Sequence, residues 1–387
     1  MRDPAEELAE LRRQALLRRL RKADRTGPVE VEEGGRPLIQ FASNDYLGLA
    51  ASEHLRVAFQ EAAGRYGAGS GASRLITGTH GPHVALEEEL AQFKGTAGAL
   101  AFASGYAAAV GAIPAILGPE DFAILDKLCH ACLIDGVRLS GATMRVFPHN
   151  DLDKLSDHLR WARSKAAAKS RILVLTESVF SMDGDLAELA SIVELKDQAG
   201  ALLWLDEAHA IGVLGAEGRG LAEHLHLASR VDFQMGTLSK AVGVAGGYVA
   251  AANDWVDLFV QRARSLVFST SPPPAVAATA REALRLVRGS EGDALRTKLR
   301  GNLECLAGAL GRRDPFPSAI CPWMAGDSTK ALEISDSLRQ AGFWVPAIRY
   351  PTVPRGKARL RISVSAAHAV EAIEQMAEAL FAVSGAG

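Results

Sequence analysis

The sequence predicts an α/β protein: a large domain built on a mostly parallel central sheet, with a smaller α+β domain toward the C-terminus. Three observations carry this. Short apolar runs alternate with helical patterns from residue 52 to about residue 251, which is the signature of βαβ units. After Pro272-Pro273-Pro274 a long helical tract follows, and beyond it only short strands and a final helix. The length, 387 residues, suits two or three domains.

The elements follow in order. Leu8, Leu11, Ala15 and Leu20 lie near helical spacing, predicting an amphipathic helix over 5–23. Gly27, Pro28, Gly34 and Gly35 then punctuate a short polar strand. Helices are predicted over 52–66, with Ser52 as N-cap, and over 83–94. Strands at 99–103, 122–125, 144–147, 172–176 and 202–205 alternate with helices at 106–117, 132–139, 152–168 and 186–198. Two more strands are predicted at 231–235 and 248–251, a helical tract over about 275–310, strands near 343–346 and 359–364, and a helix from 368. The predicted division is an N-terminal segment 1–45, a large domain 46–275 and a C-terminal domain 276–387.

Composition limits the function. Lys and Arg number 43 against 45 Asp and Glu, a formal charge of −2, so the chain is not built around a nucleic-acid backbone or an anionic membrane surface. The arginines at 12, 13, 18, 19 and 21 still form a local cluster, either a carrier dock or a solvated helix face. No apolar run reaches the ~18 residues of a membrane span, and residues 1–24 lack the apolar core of a secretory signal. Four cysteines make no disulfide scaffold, which points to a reducing, cytoplasmic setting.

Glycine is in excess, 37 residues, and 19 of them fall within 64–118 and 212–247. Neither G-x-G-x-x-G nor a P-loop is present, which argues against a Rossmann dehydrogenase or a P-loop ATPase. Ser104-Gly105-Tyr106 sits between a strand and a helix start, where backbone N–H groups suit a phosphate; taken alone, such glycines also make ordinary turns. Asp206 ends the apolar run Leu202–Leu205, with His209 three residues on, at a strand end where α/β proteins bind ligands or where an acid simply caps. Lys240 follows Gly236-Thr237-Leu238-Ser239 and precedes three more glycines, an unusual setting for a solvated lysine. Together these are the parts that pyridoxal 5′-phosphate (PLP) requires: a phosphate cradle, an acid for the ring nitrogen and a lysine for the aldehyde. No dense cluster of metal ligands is present, so no metal is expected. Cys129 and Cys132 flank His130 in a C-x-x-C, a redox or metal spacing, with no second such pair.

On S-N-D-Y-L-G-L at 43–49, E-S-V-F-S-M-D-G-D at 177–185, D-E-A-H at 206–209, T-L-S-K at 237–240, F-S-T-S at 268–271 and A-I-R-Y-P-T-V-P at 347–354, the chain resembles the PLP-dependent α-oxoamine synthase family of fold-type I over about residues 10–383. The resemblance implies that Lys240 forms the Schiff base and then acts as base at the substrate α-carbon. It implies that Asp206 pairs with the ring nitrogen, that His209 bonds the ring 3-oxygen and that Ser181 supports the ring. His130 would stack on the ring and steer the substrate carboxylate. Gly105, Tyr106 and Thr237 would bind the phosphate, and Thr270 the phosphate of a second subunit, giving a homodimer with shared sites. Arg361 would clamp the amino acid carboxylate, with Asn44 also on the substrate side, and Arg19, Thr352 and Arg349 would meet the acyl substrate. The family joins an amino acid to an acyl thioester with loss of CO₂. An arginine at 349 with Arg19 suits an acyl chain ending in a carboxylate, favouring L-alanine and a pimeloyl thioester, carried by CoA or by acyl carrier protein. The alternatives are other members using glycine or serine with succinyl, acetyl or long-chain thioesters, an aminotransferase, or a non-catalytic binding protein.

Overall fold

The computed structural model describes residues 3–384 and divides them into two compact units. The larger spans 49–181 and 185–296; the smaller joins 1–48, 182–184 and 297–387. The three-part division predicted above is thereby corrected. The N-terminal strands Glu30–Glu33 and Arg36–Gln40 share a four-stranded sheet with Phe343–Trp344, so the first segment belongs with the C-terminal one. Helix Pro274–Arg288 packs on helices Glu53–Tyr66 and Gly81–Lys94, so it belongs to the larger unit.

The larger unit is built on a seven-stranded sheet in the order 98–102, 247–251, 233–237, 202–206, 172–177, 122–126, 143–147. The five consecutive strands from 233–237 to 143–147 run parallel to one another, and Gly247–Ala251 is antiparallel to both of its neighbours. The mostly parallel α/β sheet is as the sequence predicts. Both faces are covered, so the inner strands are largely apolar and their residues divide by alternation. Leu125, Leu173, Leu175 and Trp204 go to one core, and Ile124, Val174, Leu203 and Leu205 to the other. Each such side chain contributes roughly 1.5–3 kcal/mol by leaving water.

The last residues of four parallel strands break that rule. They are Asp126, Glu177, Asp206 and Thr237, all buried and polar. Polar chemistry is thus gathered at the carboxyl edge of the sheet, where an α/β fold presents its ligand site.

The smaller unit has its own three-stranded antiparallel sheet, in the order 320–326, 358–363, 347–348, packed by helices Ser328–Gln340 and Val370–Ser384. Ile320–Gly326 is a strand the sequence pattern did not predict; it is an edge strand, where its Pro322 is tolerated. The helical tract over 275–310 is two helices, Pro274–Arg288 and Ser290–Ala309, parted at Gly289. The first helix also differs: it covers Pro4–Arg13 and not 5–23. Ala15 takes φ 55°, the Ala15 N–H bonds Arg12 O at 3.1 Å and the Leu16 N–H bonds Leu11 O at 2.8 Å. That is a Schellman ending, and it buries Leu16.

Gly247 shows how tightly the sheet meets the site. A Cβ there would stand 2.3 Å from the Gly105 nitrogen and 2.4 Å from the Ser104 carbonyl carbon, both rigid backbone. Gly247→Ala is therefore expected to cost about 1–3 kcal/mol in urea unfolding and to displace the start of helix Gly105–Ile116. An unfolding midpoint equal to wild type would show that this contact is not rigid.

Candidate active site

A cavity of about 180 Å³ opens at the carboxyl edge of the sheet, and its wall includes Gly105, Tyr106, His130, Asp206, His209 and Lys240. Ser104, Thr237, Ser239, Glu177 and Cys132 complete the polar lining. The three features singled out along the sequence therefore converge on one pocket.

Asp206 is buried at the end of its strand, and its Oδ1 accepts the Ala208 N–H at 2.9 Å. Burial raises its carboxyl above the usual range, while the Lys240 charge and the Ala208 N–H pull it back toward the ionised form. The Lys240 Nζ lies 2.7 Å from His209 Nε2, so amine and imidazole share one corner of the pocket. Lys240 sits in a turn closed by the Gly243 N–H on its carbonyl at 2.9 Å. Gly243 has φ 77°, and a Cβ there would stand 2.6 Å from the Ala50 nitrogen, so this turn needs glycine.

The opposite end of the pocket suits an anion. Ser104 caps helix Gly105–Ile116, its Oγ accepting the Ala107 N–H at 3.1 Å, so the free N–H groups of the first turn face the cavity end. A Cβ on Gly105 would meet Met235 Cε at 3.0 Å and Thr237 Cβ at 3.3 Å. Thr237 Oγ1 donates to Gly246 O and lies 2.8 Å from Ser239 Oγ, which fixes two hydroxyls beside that helix end. Tyr106 is half exposed, and its hydroxyl donates to Asp135 at 2.7 Å.

His130 is the N-cap of helix Ala131–Ser140. Its backbone N–H donates to the Glu177 carboxylate, which also holds the backbone N–H of Ser181. Glu177 is thus a site residue that sequence reasoning passed over, though it carries the same signal as Asp206: an acid closing an apolar strand. The two are register partners on adjacent strands, and burial, then the Asp206 charge, pushes Glu177 well above the ordinary carboxylate range. Ser181 does not line the cavity; it is tied to it through Glu177. Thr270 is exposed, forms a bridge with Ser73 and is not part of this pocket wall. Cys129 and Cys132 are both free and buried.

The remaining expected residues lie in the smaller unit. Arg361 is buried, its Nη1 donating to Ser363 Oγ at 2.7 Å and its Nη2 to Tyr46 OH at 3.3 Å. Tyr46 OH in turn donates to Asn44 Oδ1 at 3.1 Å, so Asn44 and Arg361 belong to one network. Arg19, Arg349 and Thr352 line a second cavity, of about 380 Å³, with Arg18, Arg21 and Arg339. Arg18 donates to Thr352 at 2.9 Å, and Arg349 to the Ala15 carbonyl. Asp336 is the one acid of that wall, and Arg18, Arg19 and Arg349 form no ion pair among the described residues.

The donor set of the first pocket fits PLP. A buried carboxylate, a lysine amine, an imidazole and a capped helix N-terminus with two hydroxyls match its ring nitrogen, aldehyde, 3-oxygen and phosphate. Comparison with known proteins agrees. The family model for aminotransferases of class I and II matches residues 36–380. The chain belongs to that family and is a PLP-dependent enzyme of fold-type I. It is 47% identical to the 8-amino-7-oxononanoate synthase of Geobacter sulfurreducens over 97% of this chain and 96% of the relative. The protein of the same name from Herminiimonas arsenicoxydans is 44% identical over 97% of both chains. Among solved structures, a serine palmitoyltransferase of S. paucimobilis with bound PLP–myriocin aldimine superposes at TM-score 0.90 and 30% identity, covering 98% of this chain and 97% of that one. The 8-amino-7-oxononanoate synthase of Francisella tularensis superposes at 0.75 and 26% identity, covering 89% and 96%.

Two loops of the site are tied by His149. Its Nδ1 lies 3.1 Å from Asp126 and its Nε2 2.6 Å from Asp185, with Phe180 edge-on at 4.2 Å. Burial alone would lower its pKa, but the hydrogen bonds to Asp126 and Asp185 outweigh that and raise it to about 10. A folded pKa above the unfolded one, about 6.5, gives stability that is complete below pH 6.5 and is lost as pH rises through 10. Unfolding free energy of the wild type is therefore expected to fall from pH 6.5 to 10, and that slope to flatten in His149→Asn. Parallel slopes in the two proteins would remove His149 as the source.

Proposed function

We propose that this chain is an 8-amino-7-oxononanoate synthase of biotin biosynthesis, joining L-alanine to a pimeloyl thioester with release of CO₂ and the free thiol carrier. One observation carries the reading: eight curated relatives, 43–47% identical over at least 92% of this chain, bear that name. The arginine-lined cavity of the smaller unit supports it. A pimeloyl chain ends in a carboxylate, and unpaired guanidinium groups suit that end. A palmitoyl chain offers them nothing.

PLP, when bound, supplies an electron sink for the charge developed on the amino acid α-carbon. Asp206 keeps the ring nitrogen protonated: a carboxylate and a cation 4 Å apart attract by about 4 kcal/mol at an effective dielectric near 20. Lys240 would hold the aldehyde and, with the amino acid bound, would serve as the base for the α-proton. His209 supports the 3-oxygen, and the helix start at Gly105 and Tyr106 with Thr237 holds the phosphate. His130 stacks on the ring, Ser181 supports it through Glu177, and Arg361 with Asn44 takes the amino acid carboxylate. Arg19, Arg349 and Thr352 take the far end of the acyl chain. The enzyme acts in the cytoplasm as a homodimer in which Thr270 serves the partner's phosphate, and the exposed arginines of the N-terminal segment admit CoA or an acidic acyl carrier protein as donor. Among the described residues no helix is long and apolar enough to cross a membrane.

A thiol-release assay tests this. L-Alanine with pimeloyl-CoA is expected to liberate CoA, and serine with palmitoyl-CoA or glycine with succinyl-CoA to give less than about a hundredth of that rate. Preference for either of the other pairs would reassign the substrate. Lys240→Ala is expected to lose at least ~10³-fold in kcat, as when an enzyme loses its reacting base or nucleophile. Arg349→Ala is expected to raise KM for the acyl donor by roughly tenfold, or about 1.4 kcal/mol, with KM for alanine unmoved; equal rises would take Arg349 out of the acyl site.

A further inference from the structure

We infer that Cys132 is a positioning residue that holds His130 as its Nε2–H tautomer and so fixes which nitrogen of the ring meets a ligand. The inference rests on the reading of this pocket as the PLP and amino acid site.

His130 caps the helix that begins at Ala131, and the cap is made by the imidazole itself. Its Nδ1 accepts the backbone N–H of Cys132 at 3.3 Å. The Cys132 Sγ lies 3.0 Å from the same nitrogen. A backbone N–H can only donate, so Nδ1 must present a lone pair. The thiol then donates as well, provided it remains protonated. It does: Cys132 is buried, and burial, then the charges of Asp206 and Glu177, drives it far above the ordinary cysteine range. With Nδ1 accepting from two donors, the neutral ring carries its proton on Nε2.

The same contact opposes the charged ring. Protonating Nδ1 would set an N–H against two other donors. Burial and the Lys240 charge act in the same sense, while Asp206 from the neighbouring strand and Asp135 from the ring's own helix act against it. The Glu177 carboxylate is engaged by the His130 backbone N–H. The balance leaves the imidazole neutral, its pKa below that of a free histidine. Nε2–H is then the ring's one remaining polar group, a donor suited to a substrate carboxylate.

Cys129 does different work. Its Sγ lies 3.4 Å from the Leu175 carbonyl and packs in the sheet core. The C-x-x-C spacing therefore holds two thiols with separate partners, both free, and the redox reading of this motif has no support in their placement.

Histidine-labelled enzyme tests the inference by ¹³C and ¹⁵N NMR, with the His130 signal assigned by its loss in His130→Gln. Cofactor-free wild type is expected to show the Nε2–H tautomer and a pKa below 6.5. Cys132→Ser, whose hydroxyl also donates, is expected to keep both. Cys132→Ala, which keeps the backbone N–H but loses the thiol donor, is expected to raise the proton affinity of His130 roughly tenfold, one pH unit, and to weaken the preference for Nε2–H. In the loaded enzyme it is expected to raise KM for alanine more than KM for the acyl donor, with serine restoring the wild-type value. An Nδ1–H tautomer in wild type would overturn the inference, as would an unchanged His130 pKa in Cys132→Ala. The NMR arm needs no cofactor, so it stands apart from a failure to bind PLP, which absorbance titration with PLP would reveal on its own.

Discussion

The Asp206 carboxylate is the charge around which the site is organised. It is 4% exposed at the end of a strand whose other residues are apolar, and an uncompensated carboxylate there would simply take up a proton. Compensation comes from Lys240 and from the Ala208 N–H. Glu177 makes the demand sharper. Two carboxylates on register-paired positions cannot both ionise cheaply, and the more deeply raised is Glu177. The two acids thus have different surroundings: Asp206 faces the Lys240 charge in the pocket wall, while Glu177 receives backbone N–H groups from the His130 and Ser181 loops.

That arrangement depends on the sheet ending where it does. Parallel strands bury both faces, so their side chains are spent on packing until the final residue. Only at that residue can the chain present polarity to a cavity without opening the core. The antiparallel strand Gly247–Ala251 then closes the other side, and Gly247 lets the backbone of Ser104 and Gly105 approach it. The helix start in the pocket wall is therefore set by a contact between two pieces of backbone. Much of the glycine excess is of this kind. At 105, 243 and 247 a side chain would collide with neighbouring strands, loops or helix starts, and flexibility is not the point.

The sheet and the central trio of Asp206, His209 and Lys240 were legible because each rested on a local pattern: alternating apolar runs, an acid closing one of them, a lysine set among glycines. Glu177 obeyed the same rule and was overlooked, quoted in a motif but given no role. Cys132 was not legible, since its partner is chosen by the cap geometry of a helix start and not by spacing. The N-terminal strands gave too short and polar a pattern to show that they would pair with Phe343, about three hundred residues away in sequence. The strand Ile320–Gly326 was not legible either; its Pro322 is acceptable because the strand lies at an edge.

The early end of the first helix shows how such a departure bears on function. Continued to residue 23, that helix would spread Arg18, Arg19 and Arg21 over nearly half its circumference at about 100° per residue. Ala15 instead turns left-handed, Leu16 folds back and is buried, and the chain leaves the helix as an irregular segment. Released from helical spacing, the three arginines line one cavity beside Arg349 and Thr352. The Ala15 carbonyl, freed by the same turn, accepts from Arg349 and orients it. A left-handed alanine is costly by roughly 1–2 kcal/mol, and here it is retained where it gathers positive charge that a regular helix would have scattered. The cluster that composition alone left as either a carrier dock or a solvated helix face thus contributes three of its five arginines to one cavity wall.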